Sequence, residues 1–232
     1  MADVVFVGST FEGASSSSMT LNNIATTGDF ALAMFSYRGT YTMTAVPAGW
    51  TAVDPPTIDG GGANDPFLRS YERIITSTDT TAWTWQRSDG TGGHVAALMV
   101  FRDVQSTGPY SGGVETDVGT STQHAVANTT VSNAGSAAVA VVAGMQASGT
   151  QNYGTTSAGW TEEIDAGYIA GTLRATMGVF YSTGLSTGTL TGISVDSTNS
   201  CSAVTGAIVI EPSGGSSNPA ARYFHYTDQG IS

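Results

Sequence analysis

The sequence has no lysine, one cysteine, and seven arginines against eighteen carboxylates, and each shortage removes a class of function. Nucleic acids are held by Lys and Arg that neutralise phosphates. A chain of formal charge −11, with five Arg against ten acids before Ser111 and two against eight after it, is not built for that task. The same sign argues against docking on an anionic membrane surface. Cys201, standing alone, permits no intrachain disulfide and no multi-cysteine zinc site, and it reads as a small buried apolar side chain. No stretch approaches the roughly 18 apolar residues of a membrane helix. Met1 to Val7 lacks the basic region of a signal peptide, so the chain is expected to work where it is made or to leave by lysis.

Long helical periodicity is also missing. Thr, Ser, Gly and Ala dominate, and apart from Ala these suit strands and tight turns better than helices. Turn signals recur along the chain, among them Thr27-Gly28-Asp29, Pro55-Pro56, Gly60-Gly61-Gly62, Asp89-Gly90 and Thr187-Gly188. Period-two alternation in Tyr41 to Ala45 and in Trp83-Thr84-Trp85 marks half-buried strands with Thr on the wet face. By contrast, Ala31 to Phe35 and Val139 to Val142 are continuously apolar. They are expected to be buried on both faces or to lie against another subunit.

The order of signals occurs twice. A Gly-led apolar run (Gly28 to Phe35; Gly135 to Val142) precedes a Gly-Trp-Thr turn (Gly49-Trp50-Thr51; Gly159-Trp160-Thr161). A strand-like aromatic segment follows (Leu68 to Ile75; Met177 to Tyr181), then an alternating one (Ala82 to Trp85; Leu190 to Val195), then a last apolar run (Ala96 to Phe101; Ala207 to Ile210). The offset of roughly 110 residues is that of a whole structural unit. These patterns predict an all-β, jelly-roll-like β-sandwich over 1–212, built from two related halves at roughly 1–108 and 112–212 and joined through Gly108 to Gly113. Residues 213–232 form a linker, flexible by composition, and a C-terminal arm. The arm is expected to be either a strap that folds back on its own sandwich or an arm that docks on a neighbour, and its Arg222, Tyr223, Phe224 and Tyr226 are the candidates for contact with a partner.

No constellation of catalytic, cofactor-binding or metal-ligating residues assembles from the sequence, so none is assigned. His94, His124 and His225 share no ligand spacing, and His94, near Asp89 after a Gly-rich turn, reads as a solvated loop residue. Gly184 to Gly188 has the G-x-S-x-G form, but without the strand-to-helix turn that a nucleophile elbow needs. Asp54, Asp59 and Asp65, and Glu162, Glu163 and Asp165, lack calcium-loop spacing and read as solvated acidic loops. Trp50, Trp83, Trp85 and Trp160 are expected as core anchors. The alternative is that one or two are exposed and stack on a glycan.

Five motifs together resemble a family of β-sandwich proteins common among phage virion and prophage-encoded proteins. They are Gly28-Asp29-Phe30, Pro47-Ala48-Gly49-Trp50-Thr51, Tyr71-Glu72-Arg73, Ala82-Trp83-Thr84-Trp85 and Val100 to Val104. The chain departs from that family's pattern at Trp83, which replaces Tyr, and at Phe101 and Asp103, which replace Tyr and Gly. The resemblance covers roughly residues 20 to 212 and is weaker in the second half. It implies a virion structural protein assembled in the host cytoplasm, foremost a homo-oligomeric capsid decoration or cement protein that contacts the major capsid protein or another virion protein. A tail or fibre component with a glycan-binding sandwich is the alternative.

Overall fold

The computed structural model describes residues 2–38, 41–59, 66–76, 80–88, 92–114, 121–146, 151–155, 157–170 and 173–214. Among them there are eighteen strands and no helix. The first half contains β1 (Val5–Ala14), β2 (Ser18–Asn22), β3 (Phe30–Arg38), β4 (Met43–Ala45), β5 (Thr51–Asp59), β6 (Pro66–Ile74), β7 (Ala82–Arg87) and β8 (His94–Arg102). The second begins with β9 (Val104–Val114), β10 (Gln123–Ala125), β11 (Thr129–Val131), β12 (Ser136–Gln146) and β13 (Tyr153–Thr155). It ends with β14 (Thr161–Ala170), β15 (Leu173–Leu185), β16 (Gly188–Leu190), β17 (Ser194–Ser197) and β18 (Ser202–Pro212).

The repeat in the sequence is a repeat of topology. The first half forms a five-stranded antiparallel sheet in the order β1-β8-β3-β6-β5, and the second forms β9-β18-β12-β15-β14. Each half adds a three-stranded sheet, β2-β7-β4 in the first and β10-β17-β13 in the second, while the pair β11-β16 has no counterpart. The two large sheets pack face to face, with β1 against β14 along one border and β5 against β9 along the other. Since β9 corresponds to β1 and β14 to β5, these borders are one contact made twice. The halves are therefore related by a pseudo-two-fold axis, the arrangement of an isologous dimer within one chain.

Three apolar layers result. Between the large sheets lie Leu32, Met34, Met99 and Phe101 from one half and Val139, Val141, Met177, Val179 and Ile208 from the other. Beneath the first small sheet lie Met19, Leu21, Phe35, Trp50, Tyr71, Trp83, Trp85 and Leu98. Beneath the second lie Val126, Ala140, Val142, Tyr153, Phe180, Ile193 and Val195. Strand β3 shows why the run is unbroken: Phe30, Leu32 and Met34 face the central layer, while Ala31, Ala33 and Phe35 face the small sheet. Ala31 to Phe35 were open to a role between copies. Instead they are fully buried inside their own chain, because each large sheet is covered on both faces.

Two further expectations are corrected. Gly108 to Gly113 is not a connection but part of β9, which pairs along β18 from Val204↔Val114 to Pro212↔Val104. The halves meet instead at Asp103, a left-handed residue (φ 62°) between β8 and β9. Asp is among the few residues besides glycine that tolerate this conformation. Pro55-Pro56, expected as a turn, lies within β5 where its register with β6 is interrupted between Ala52 and Thr57. An edge strand at an irregularity can take residues that have no N–H to donate.

Candidate functional site

Four clusters gather the residues that carry chemistry. The first unites three of the five signature motifs. Arg73, on the outer face of β6, donates from Nη1 to the Ala48 carbonyl oxygen at 2.5 Å, and its guanidinium lies 5.9 Å from the Trp83 ring centre. Trp50 meets Trp83 and Trp85 edge-on, with ring centres 5.2 and 4.9 Å apart. Trp85 also packs 4.9 Å from Phe35. Gly49 has φ 85°, and a Cβ there would stand 2.9 Å from Arg73 Nη1, so the turn needs glycine both for its conformation and for the arginine passing over it. Gly159, its counterpart, has φ 84° with nothing in the way, which fits a second half without the arginine.

In this cluster Trp50, Trp83 and Trp85 are buried, at 8%, 5% and 0% exposure, and Trp160 is half-buried against the third apolar layer. The first three present almost no ring face to a sugar. The alternation read in Trp83-Thr84-Trp85 is present, with Thr84 exposed between two buried indoles.

The second cluster joins the first and last motifs. Asp29, buried at the head of β3, accepts from Arg102 Nε at 2.8 Å and Nη2 at 3.1 Å, and from the Thr26 N–H and hydroxyl at 2.9 Å each. Burial alone would raise this carboxyl, but the hydrogen bonds and charge of Arg102 and the bonds from Thr26 outweigh it and hold the pKa below the ordinary value of 3.8. A depressed carboxylate stabilises the fold above its unfolded pKa and loses that contribution as pH falls through the folded value. We therefore expect stability to drop below about pH 4, and Asp29→Asn to flatten this acid limb while costing about 1–3 kcal/mol at neutral pH. Urea titrations across that pH range measure both effects.

The third cluster overturns the expectation for His94. It is not a solvated loop residue: it begins β8 with no exposure, and its Nε2 meets Glu12 Oε1 at 3.2 Å. Antiparallel pairing places it opposite Ala14 on one side and Tyr37 on the other, inside the sheet. Glu12 Oε1 also accepts the Thr20 N–H at 2.6 Å, tying β1 to β2. Nearby, buried Arg87 donates to the carbonyls of Ser16 and Gly92 and lies 4.9 Å from the Tyr41 ring centre.

The fourth cluster lies under the second small sheet, where Cys201 is buried as expected. His124 Nε2 is 2.9 Å from Ser197 Oγ and 3.6 Å from Cys201 Sγ. The Tyr153 hydroxyl shares a 2.6 Å hydrogen bond with Thr176 Oγ1, and Gln151 Nε2 donates to the Asn199 carbonyl at 3.1 Å. Burial pushes the Tyr153 phenol well above its ordinary value, so it keeps its proton. A thiol beside an imidazole can be a nucleophile, but Cys201 is 1% exposed and surrounded by these partners, so its sulfur is not open to solvent. Sequence reasoning missed this grouping, since its members are as many as 77 positions apart and share no motif.

Among the described residues no three acidic or imidazole side chains gather into a metal-binding group, and Glu162, Glu163 and Asp165, expected in a loop, lie on β14. Glu163 accepts from Ser9 Oγ at 2.7 Å across the β1–β14 border. Glu162 is raised by burial and by the nearby Asp165, and Asp165 by burial. The side chains of Asp54, Asp59 and Asp65, and all of Arg222, Tyr223, Phe224, His225 and Tyr226, lie outside the described residues. Gly184 to Gly188 turns from β15 into β16 with no helix following.

Two clefts flank Arg73. One, of about 320 Å³, is lined by Phe30, Thr51, Glu72, Ile74, Gln105 and Thr107; the other, of about 400 Å³, by Pro47, Ala48, Thr80, Ala82, Trp83 and Thr84. Compared with protein-family models, with curated proteins and with solved structures, the chain finds no match.

Proposed function

We propose that this chain is a structural protein of a bacteriophage particle, foremost a decoration or cement protein on the outer capsid surface. The observation that supports it is where the resemblance motifs go. Gly28-Asp29 and Arg102 form one internal tie, and Gly49-Trp50, Arg73, Trp83 and Trp85 form one packed cluster. Residues that define the pattern thus hold sheets together, and what they specify is a scaffold. A lysine-free, acidic surface suits a protein that stands on the outside of a shell and makes no contact with the packaged genome. On this reading the arm residues Arg222, Tyr223, Phe224 and Tyr226 are contacts to the shell or to neighbouring copies.

The glycan-binding alternative has less to rest on, because stacking needs an open ring face and Trp50, Trp83 and Trp85 are covered. Quantitative mass spectrometry of purified particles tests the proposal by counting this chain against the major capsid protein. A ratio near one to one, or a simple fraction of it, is the expected result. A few copies per particle would move the chain to the tail or a fibre, and its absence would end the virion reading.

A further inference from the structure

We propose that Cys201 and Gln151 condense inside the fold to an internal thioester, with His124 as the base. The inference does not depend on the virion reading.

Three groups that such a reaction needs meet in one buried place. The Cys201 sulfur is the nucleophile. His124 Nε2 stands 3.6 Å from it, and the ring has no exposure of its own. The side-chain amide of Gln151, buried at 6% exposure, places Nε2 at 3.5 Å from the same sulfur, and the acyl carbon is one bond beyond. The topology brings them together. β10 and β13 flank β17 in the second small sheet and carry His124 and the segment with Gln151, while Cys201 leads into β18 of the large sheet below.

The amide is also held as a reacting carbonyl would be. Gln151 Oε1 accepts the Asn199 N–H at 3.2 Å, a donor aimed at the atom that takes up negative charge when a nucleophile adds. Nε2 donates to the Asn199 carbonyl at 3.1 Å, which fixes the orientation of the group. The imidazole has matching support. Once protonated, Nε2 donates to Ser197 Oγ at 2.9 Å, and that hydroxyl donates in turn to the Asn199 carbonyl at 3.0 Å.

The reaction balances without a co-reactant. The Cys201 thiol proton passes to His124 Nε2, the thiolate adds to the Gln151 carboxamide carbon, and an S–C bond forms. The C–Nε2 bond then breaks, the imidazolium returns its proton to the departing nitrogen, and ammonia leaves. Nothing is oxidised or reduced. Two features favour survival of the product. The sulfur is closed to the water that would hydrolyse it. The chain has no lysine, so no side-chain amine of its own can take the acyl group. The product is an acyl donor whose natural acceptor is an amine from another molecule.

Intact mass spectrometry of the full chain, unfolded in acid, tests this. The expected mass is lower than that of the sequence by one ammonia, with no thiol left for iodoacetamide to label. Methylamine added to the unfolded chain should restore a labelled Cys201 and leave a methylamide on Gln151, both located by peptide mapping. Cys201→Ala and Gln151→Met should each keep the full mass of their own sequence. His124→Gln should lower the share of chains lacking ammonia about ten-fold or more. The measurement on the unmodified chain stands even if a variant fails to fold. A full mass with one labelled thiol in that chain would overturn the proposal. So would a loss of ammonia that persists in Cys201→Ala, that maps to another residue, or that is undiminished in His124→Gln.

Discussion

Replacing Trp85 with alanine is expected to cost about 3–5 kcal/mol, a large part of the roughly 5–15 kcal/mol that holds a domain folded. The ring is fully buried and stands between Phe35, Trp50 and Tyr71, with centres 4.9, 4.9 and 6.4 Å away. Its removal would empty the middle of the layer beneath β2, β4 and β7, and the flanking rings sit on β3, on β6 and in the turn before β5, which cannot all close inward. Trp85→Phe should cost much less, because the indole N–H has no hydrogen-bond partner among the described residues and the ring stacking is largely kept. Trp160→Ala, at the half-buried counterpart of Trp50, should also cost clearly less. Denaturant midpoints for the three variants test the ranking. Equal losses at positions 85 and 160 would mean that the two rings are buried alike, against the structure.

The second large effect is expected from adding one methyl group. In β15, a Cβ at Gly178 would lie 2.7 Å from Tyr153 Cβ and 2.9 Å from its Cγ, the rigid base of a side chain that cannot swing aside. Gly144, on the adjacent strand β12, gives the same ring its room at the hydroxyl end, where a Cβ would fall closest of all to the Tyr153 oxygen. The two glycines form a slot, and β13 docks through the ring that fills it. Gly178→Ala should therefore destabilise by about 1–3 kcal/mol through overpacking. Made together with Tyr153→Ala it should cost less than the sum of the two single changes, since the added methyl then occupies vacated space. Simple additivity in that double-mutant cycle would remove the slot.

Much of the fold was legible in the sequence. Continuously apolar strands announced sheets covered on both faces, and the doubled Gly-Trp-Thr turn announced the doubled topology. The break between halves was misplaced because Gly108 to Gly113 has turn composition, yet in β9 it is held in a ladder with β18. The break itself falls on Asp103, where only the backbone conformation marks a turn. His94 was misjudged because its local neighbours are Gly-rich, while its burial is decided by Tyr37 and Glu12, more than fifty positions away. The tie between Asp29 and Arg102 and the gathering around Arg73 were equally hidden, since motif residues reveal their partners only after the strands pair.

The pseudo-two-fold arrangement has a consequence for how such a molecule can change. In a homodimer a substitution appears on both subunits, so the two outer surfaces cannot drift apart. Fused into one chain, each side varies alone while the shared interior stays fixed. The present chain bears the mark of that freedom. One outer layer is knit by indoles and arginine, and the other by a histidine, a thiol and a tyrosine set between glycines. It is a two-sided object with a symmetric frame, able to offer unlike faces to unlike neighbours without rebuilding its centre.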